Sequence, residues 1–528
     1  MKSNIKLRLL ATTLLVGVAA PAMAQAPATP APAATPAEAD DTAIIVTGSR
    51  ISRPDLTVAS PVNVIGQQEI QLKQNVSAEE LIRDVPGLRP SIGAGVNNGT
   101  DGSSRVDLRG IGPERTLVLL DGKRIVPFGL DGFTDLNTSS VYGADAVAGV
   151  VNFVLKRNFS GIEASGSYRI TGKGDAKGLK ADVLIGANLD DGRGNVVLGI
   201  GYTKVDQLNQ NERSFGLAAL NTVNGIPQGS QTSVPSFLLG PSVAGATGPL
   251  GSVYDVTLGR FRTATDPDTY NFNPDNLYQT PLERYNIFAQ GRYQISSAFE
   301  AYVQGMFTRN VVANSAAPSG TFTNPYSLPL SNPYLNAATR AQLCGASGAT
   351  FTSGTGIRTT TGLTAAQCAA AGAASSVTSP DYQEVAVTLA RRFVEYGPRF
   401  QSFESNQFQV LVGMRGDITP TLKYDLSAQY GETLQNQSRL NWGSYSRVQQ
   451  ALRATNVSTC TNTANACVPI NLFGSAGSIT PQMISFFALD AFIKRVVKQT
   501  VVTGSVSGDL FGITSPFGTN PVAFSVGA

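Results

Sequence analysis

The 528-residue chain contains no histidine, which removes Ser-His-Asp and Cys-His catalysis and the commonest zinc ligand from consideration. Charge is scarce as well: Asp, Glu, Lys and Arg make up 15% of the residues, against about 25% in ordinary soluble domains. Past residue 24 no apolar run approaches the roughly 20 residues a spanning helix requires, so any membrane crossing falls to β-strands. Gly93-Ala94-Gly95 with Gly99 falls short of a dinucleotide fingerprint, and there is neither a P-loop nor an Asp/Asn-rich calcium loop. No enzyme, cofactor or metal centre is expected from these residues.

What is present begins with a leader. Lys2, Lys6 and Arg8 precede an apolar run from Leu9 to Ala20, and Ala22-Met23-Ala24 offers small residues to a signal peptidase, so residues 1–24 read as a cleaved export signal. The leader holds the whole surplus of positive charge. The remaining chain is formally neutral and gives no electrostatic case for nucleic acid. Residues 26–39 are rich in Pro and Ala and make 25–42 an extended tether. Within 43–49, Ile44-Ile45-Val46-Thr47-Gly48 is a β-prone apolar run. It reads either as a first strand of the next domain or, on its leash, as a strand that adds itself to a partner's sheet edge.

Residues 50–158 have a mixed α/β pattern. Pro61 to Ile65 suits a strand, and Ser77 to Ile82 a short helix with Glu80 at the capping-box position, stopped by Pro86-Gly87. Val106–Leu108 and Thr116–Leu120 read as strands, with Asp121-Gly122 turning a hairpin into Lys123 to Val126. The charges Arg105, Asp107, Arg109, Glu114 and Arg115 are many for a small domain. They read either as a solvated surface or as partners for carboxylates elsewhere, and Arg109, with Glu114 and Arg115, is the candidate for such a lock.

From Gly161 the period becomes two. Ile162, Ala164, Gly166 and Tyr168 alternate with Glu163, Ser165, Ser167 and Arg169, and the pattern recurs at 179–189, 194–205, 283–295, 299–309, 406–416, 421–432 and 499–510, and starts again at 521. Segments of about ten residues with this alternation suit strands with lipid outside and water inside, although a soluble β-sandwich alternates too. Link lengths separate the two. Tight links at 190–194, 296–298 and 417–420 alternate with very long ones at 206–282, 310–405 and 433–498, the asymmetry of an outer-membrane barrel. Residues 385–396 are assigned to the outer part of the link 310–405. The cysteines fall as local pairs, Cys344 with Cys368 and Cys460 with Cys467, and in an exported chain two loop disulfides are expected.

Ile44–Gly48, Leu81-Ile82-Arg83-Asp84-Val85-Pro86-Gly87-Leu88, Leu108-Arg109-Gly110, Leu119-Leu120-Asp121-Gly122 and Val141 to Asn152, in that order, resemble the motifs of a TonB-dependent outer-membrane receptor. The resemblance implies an α+β plug at 50–158 followed by a transmembrane antiparallel β-barrel over 159–528. It implies a TonB box at Ile44, Ile45, Val46, Thr47 and Gly48, and TonB-dependent uptake of a scarce bulky solute such as siderophore-iron, cobalamin or a glycan. TonB, outer-membrane lipid, the barrel-assembly machinery and a small extracellular ligand would be its partners. Two departures are expected to matter. Thr138 runs straight into Ser139 where relatives continue through a further plug strand, and only nine strand starts are counted against about 22 in plugged barrels, so the barrel is expected to be incomplete and unable to transport alone. A passive outer-membrane pore or a surface adhesin is the alternative.

Overall fold

The computed structural model describes residues 85–90, 101–129, 148–156, 158–514 and 521–528, with 65, 80, 83 and 134 as isolated positions. The leader, the tether, the run Ile44–Gly48 and the expected helix at 77–82 lie outside these, apart from Glu80. Among the described residues no helix is long and apolar enough to cross a membrane.

Four short strands belong to the first domain: β1 (Leu88–Pro90), β2 (Val106–Leu108), β3 (Thr116–Leu120) and β4 (Gly149–Phe153). β1 pairs antiparallel with β2, whereas β3 pairs parallel with β4. Val106 and Val118 are buried against Leu88, Leu108, Val151 and Phe153, so a small core explains the apolar runs. The expected hairpin forms only its turn. Asp121 and Gly122 take left-handed backbone angles (φ 49 and 73) and Leu120 bridges Lys123, but the chain beyond Lys123 leaves β3. Its backbone groups find their partners on a second, much longer sheet.

The period-two segments form that sheet, which is antiparallel and has nine strands: β5 (Gly161–Arg169), β6 (Gly178–Leu189), β7 (Gly194–Val205), β13 (Leu282–Ser296), β14 (Phe299–Ala316), β19 (Arg399–Thr419), β20 (Leu422–Gly443), β21 (Ala488–Thr514) and β22 (Pro521–Gly527). Neighbours in sequence are neighbours in space, and the tight links all lie at one end. One face carries Gln407, Gln409, Ser427, Gln429, Thr433 and Gln435, all buried; the other carries Ile200, Ile287, Val303, Val410 and Val412, all exposed.

On that apolar face Tyr202 lies opposite Tyr285, Phe307 opposite Phe408, and Phe408 packs on Tyr430 at 6.0 Å. This aromatic line steps toward the tight turns as it passes from β7 to β20, the stagger expected of tilted strands. Directly beyond it stand cross-strand ion pairs, Arg309–Glu404 at 2.9 Å and Lys498–Glu432 at 3.3 Å. From Phe408 to Ile418, at ~3.3 Å per residue and ~40° tilt, the apolar band is about 25 Å tall.

β19, β20 and β21 are 21, 22 and 27 residues long, about twice what a span needs. Their excess carries a head made from the three long links. The first link supplies β8 (Leu208–Asn209), β9 (Phe237–Gly240), β10 (Ser252–Asp255), β11 (Arg260–Thr263) and β12 (Leu277–Gln279). The second supplies β15 (Tyr326–Pro329), β16 (Phe351–Ser353), β17 (Arg358–Thr359) and β18 (Gln383–Ala390). β8 pairs with β12; the rest form a sheet ordered β11-β10-β9-β18-β16-β17, with β15 also on β18. Leu238 and Phe261 from the first link, Leu328, Phe351 and Val385 from the second, and Leu452, Leu472 and Phe487 from the third share one buried core. Cys344 is bonded to Cys368 and Cys460 to Cys467, the first bond joining the helices Ala337–Cys344 and Ala365–Ala373.

The head is held by ion pairs as well as by its core. Arg262 donates to Asp268 at 2.8 and 2.7 Å and keeps that carboxyl well below the usual range, at about 2. A depressed folded-state pKa gives stability that is complete above the unfolded value of ~3.9 and is lost as pH falls through the folded one. Relative to Asp268→Asn, which controls for pepsin's own pH dependence, the wild type should be cut near 260–268 with rising ease between about pH 4 and 2. A wild-type-to-variant ratio that is flat over this window would exclude the pair as an acid-sensitive tie.

Candidate functional site

The segment after the Asp121-Gly122 turn is where the first domain meets the polar face of the long sheet. The turn itself is fixed at home: Gly122 N–H donates to Asn152 Oδ1 at 3.0 Å and Leu155 N–H to Asp121 Oδ1 at 3.0 Å. From there the chain runs along the sheet. Val126 N–H donates to Gln409 Oε1 (2.9 Å), Gln407 Nε2 to the Val126 carbonyl (2.8 Å), Gln409 Nε2 to the Arg124 carbonyl (2.9 Å) and Thr433 Oγ1 to the Pro127 carbonyl (2.9 Å). Wall side chains thus take the place of a partner strand, which is why no hairpin forms. Gly431 makes room, since a Cβ there would sit 2.9 Å from that of Val126.

Toward the tight turns the contact becomes ionic. Lys123 Nζ donates to Asp425 Oδ1 at 2.8 Å and to Ser427 Oγ at 3.1 Å, and Tyr302 Oη donates to the same Asp425 oxygen at 2.6 Å. Beside it Glu300 accepts from Arg292 (3.2 Å) and Arg415 (2.7 Å), and Arg292 reaches Asn158 of the first domain. A cavity of about 120 Å³ opens between Asp121, Lys123 and Asn158 on one side and Arg292, Tyr302 and Asp425 on the other. Near it, Lys156 pairs with Glu163 of β5.

Toward the head the contact is a close approach. The Gly102 carbonyl accepts from Asn310 Nδ2 at 3.3 Å and Arg284 at 3.5 Å. Gly102 has φ +81, and a Cβ on it would lie 2.2 Å from Val312 Cγ2. Three kinds of contact therefore hold the domain on the wall: a steric fit at the head end, backbone-to-amide bonds in the middle, and an ion pair near the turns.

Residues 54–150 match the family model described as the TonB-dependent Receptor Plug Domain. The chain carries a TonB-dependent receptor plug. Among solved structures, the fold is similar to a variant of the ferric enterobactin receptor PfeA of Pseudomonas aeruginosa (12% identity, 86% of this chain and 46% of that one, TM-score 0.38). It is also similar to the siderophore receptor PirA of Acinetobacter baumannii (13%, 88% and 49%, 0.35) and to the unliganded ferric citrate transporter FecA (11%, 82% and 53%, 0.28). The chain spans about half the length of these structures.

Among the described contacts, none of Arg109, Glu114 and Arg115 reaches the wall. Arg109 sits at φ 62 in an exposed turn. Arg115 pairs with its neighbour Glu114 at 2.7 Å on the plug surface, both half exposed. The expected lock at Arg109, Arg115 and Glu114 is corrected by this geometry: they occupy the turn and the 3-10 helix before β3, whereas the segments that meet the wall are those at Gly102 and after β3. The residues that do reach wall carboxylates are Lys123, at Asp425, and Lys156, at Glu163.

At the mouth, Arg399 and Arg439, inward by strand parity, stack on Trp442 at 4.9 and 5.8 Å, and Arg399 also lies 5.4 Å from the ring centre of Phe322. Sequence reading marks none of these. Their signal is positional: arginines on the inward parity of strands that run on past the apolar band.

Proposed function

We infer that the chain serves TonB-dependent active uptake of a scarce, bulky solute across the outer membrane. In this reading the apolar band faces lipid, the tight turns face the periplasm and the head stands outside. A solute enters past Arg399, Trp442 and Arg439, a lining that suits an anionic or flat aromatic group. Ile44–Gly48 is the strand that TonB grips.

The observation that carries this reading is the way the segment 123–127 is seated. Its hydrogen bonds to the wall are neutral for the most part and made to backbone, so they can be broken one at a time by a pull and remade afterwards; the buried Ile125 and Val126 add only a small apolar contact. An apolar seal of the same area would be a core, lost only by unfolding. Lys123–Asp425 adds an ion pair to this seat. Its side chains are 18% and 32% exposed, so water can replace either partner as it opens.

The test joins both ends of the mechanism. In a version of the protein with a complete barrel, with Lys123→Cys and Asp425→Cys joined by a short bifunctional thiol reagent, uptake by cells should fall at least tenfold and return on cleaving the linker. Deleting Ile44–Gly48 should have the same effect and be irreversible. Uptake that survives the deletion unchanged would place the protein among passive pores or adhesins instead.

A further inference from the structure

Above the plug seat the inner wall carries positive charge with little to offset it. Residues paired across β14, β19, β20 and β21 share a face, and from Thr308, Gln407, Thr433 and Gln499 up to the mouth no inward position of these strands holds Asp or Glu. Arg399, Arg439 and Arg495 do stand there. The nearby acids Glu404, Glu432 and Asp490 have the outward parity. Arg495 lies opposite Gln435, one inward position above the Thr433 that holds the plug and, at ~3.3 Å per residue, about 13 Å below Arg439. The guanidiniums therefore run as a column from the mouth to the seat.

Each is held by a neutral oxygen: Arg399 donates to the Ala317 carbonyl at 2.6 Å, Arg439 to the Gln437 amide oxygen at 2.9 Å and Arg495 to Gln435 Oε1 at 2.7 Å. Among the described residues none of these arginines has a carboxylate within ion-pair distance. The acid whose charge Arg399 does feel is Asp275, which already accepts from Tyr270 at 2.8 Å and acts on the buried Arg392 as well. A further donor is aimed at the same space. Arg439 lies opposite Ala491 but Trp442 opposite Leu489, so one extra residue enters β20, with Asn441 in the left-handed region (φ 63). This bulge turns Trp442 from the outward to the inward side, 4.9 Å from Arg399 and 5.8 Å from Arg439, where its Nε1–H is buried without an acceptor. Uncompensated guanidiniums, neutral amides and an idle N–H all lack the same thing, an acceptor that brings negative charge.

We propose that the inward face from Arg399 to Arg495 is a site for a polyanionic solute whose carboxylates bridge these guanidiniums. The proposal rests on the uptake reading and narrows its cargo, since uncharged glycans and cobalamins bring no such charge. Trp442 is the only tryptophan in the chain, so its fluorescence reports on the site alone. With the full chain in mild detergent, benzene-1,3,5-tricarboxylate should change that emission saturably, and added salt should weaken the response; the uncharged triamide of the same ring and maltoheptaose should leave it unchanged. Arg399→Gln and Arg439→Gln should each raise the apparent Kd about tenfold and Arg495→Gln several-fold. Arg399→Lys, which keeps the charge, should bind far better than Arg399→Gln, a rescue that misfolding would not give. A wild type that ignores the tricarboxylate, an equal response to the triamide, a response to maltoheptaose alone, or glutamine variants that bind as the wild type does would each overturn the proposal. None of these results touches the uptake reading, which stands or falls on deleting Ile44–Gly48.

Discussion

Replacing Arg391 by Met should cost the head about 3–5 kcal/mol, the range for removing one partner of a buried ion pair. Arg391 is fully buried and Glu395 is 11% exposed. The guanidinium donates to Glu395 at 2.9 Å, to the Ser475 carbonyl at 3.0 Å and to Ser478 Oγ at 3.3 Å. Residue 391 belongs to the second long link and residues 475–478 to the third, so the substitution unfastens one link from another while stranding a carboxylate. Glu395 then retains the Gly477 N–H at 2.9 Å, which keeps the loss below that of an isolated buried charge. The measurement is hydrogen exchange across 470–480, where protection should fall by two to three orders of magnitude. Arg391→Met with Glu395→Gln should lose less than the sum of the two singles, because the double variant buries no unpaired charge. A change under about 1 kcal/mol in the single variant would mean that neither the charge pair nor the arginine's bond to the Ser475 carbonyl holds the links.

That experiment probes the feature least legible in the sequence. All nine strands of the long sheet are visible there, because alternation over ten residues and tight links are local signals. The strand starts fall within a few residues of those read for β5, β6, β7, β13, β14 and β20. For β19 and β21 the alternation marks only the lower part: both begin earlier, at Arg399 and Ala488. Past the aromatic line the outward positions become Glu404, Glu432 and Lys498, and the apolar alternation that marks a strand stops although the hydrogen-bonded ladder goes on.

The head reads as solvated links for a different reason. Its strands are two to eight residues long, too short for a period to show, and its core joins positions as far apart as Leu238 and Phe487. Val385, Val387 and Leu389 do alternate and look strand-like. The missing information is what they pack on. Lys123 escapes notice through an expectation that is half right. The Asp121-Gly122 turn exists, and a hairpin is its usual continuation, but two consecutive cations, Lys123 and Arg124, make a poor return strand over a small core. Asp425, a lone carboxylate in an inward row of Ser427, Gln429 and Gly431, is the matching signal on the other side.

Substituting Gly102 by Ala should dislodge the head-end contact of the plug while leaving the ion pair near the turns in place. Two costs add. The left-handed backbone at φ +81 costs a residue with a Cβ about 1–3 kcal/mol, and the new methyl would start 2.2 Å from Val312 Cγ2, which either the plug or β14 must yield. Val312 is buried among Val205 and Leu282 and has little room, so the plug gives way. Ser104 is fully buried in the native seat, and the thiol of a Ser104→Cys variant should react with a maleimide at least tenfold faster when Gly102→Ala is added. Adding Val312→Ala removes the clash and leaves the strain, so it should restore part of the protection but not all. Full restoration would assign the whole effect to the clash, and none would assign it to the backbone. If the Ser104→Cys thiol is equally unreactive with and without Gly102→Ala, the plug is held firmly enough by the amide bonds of Gln407 and Gln409 that the head-end fit is dispensable, and the seat is unlocked from the turn side alone.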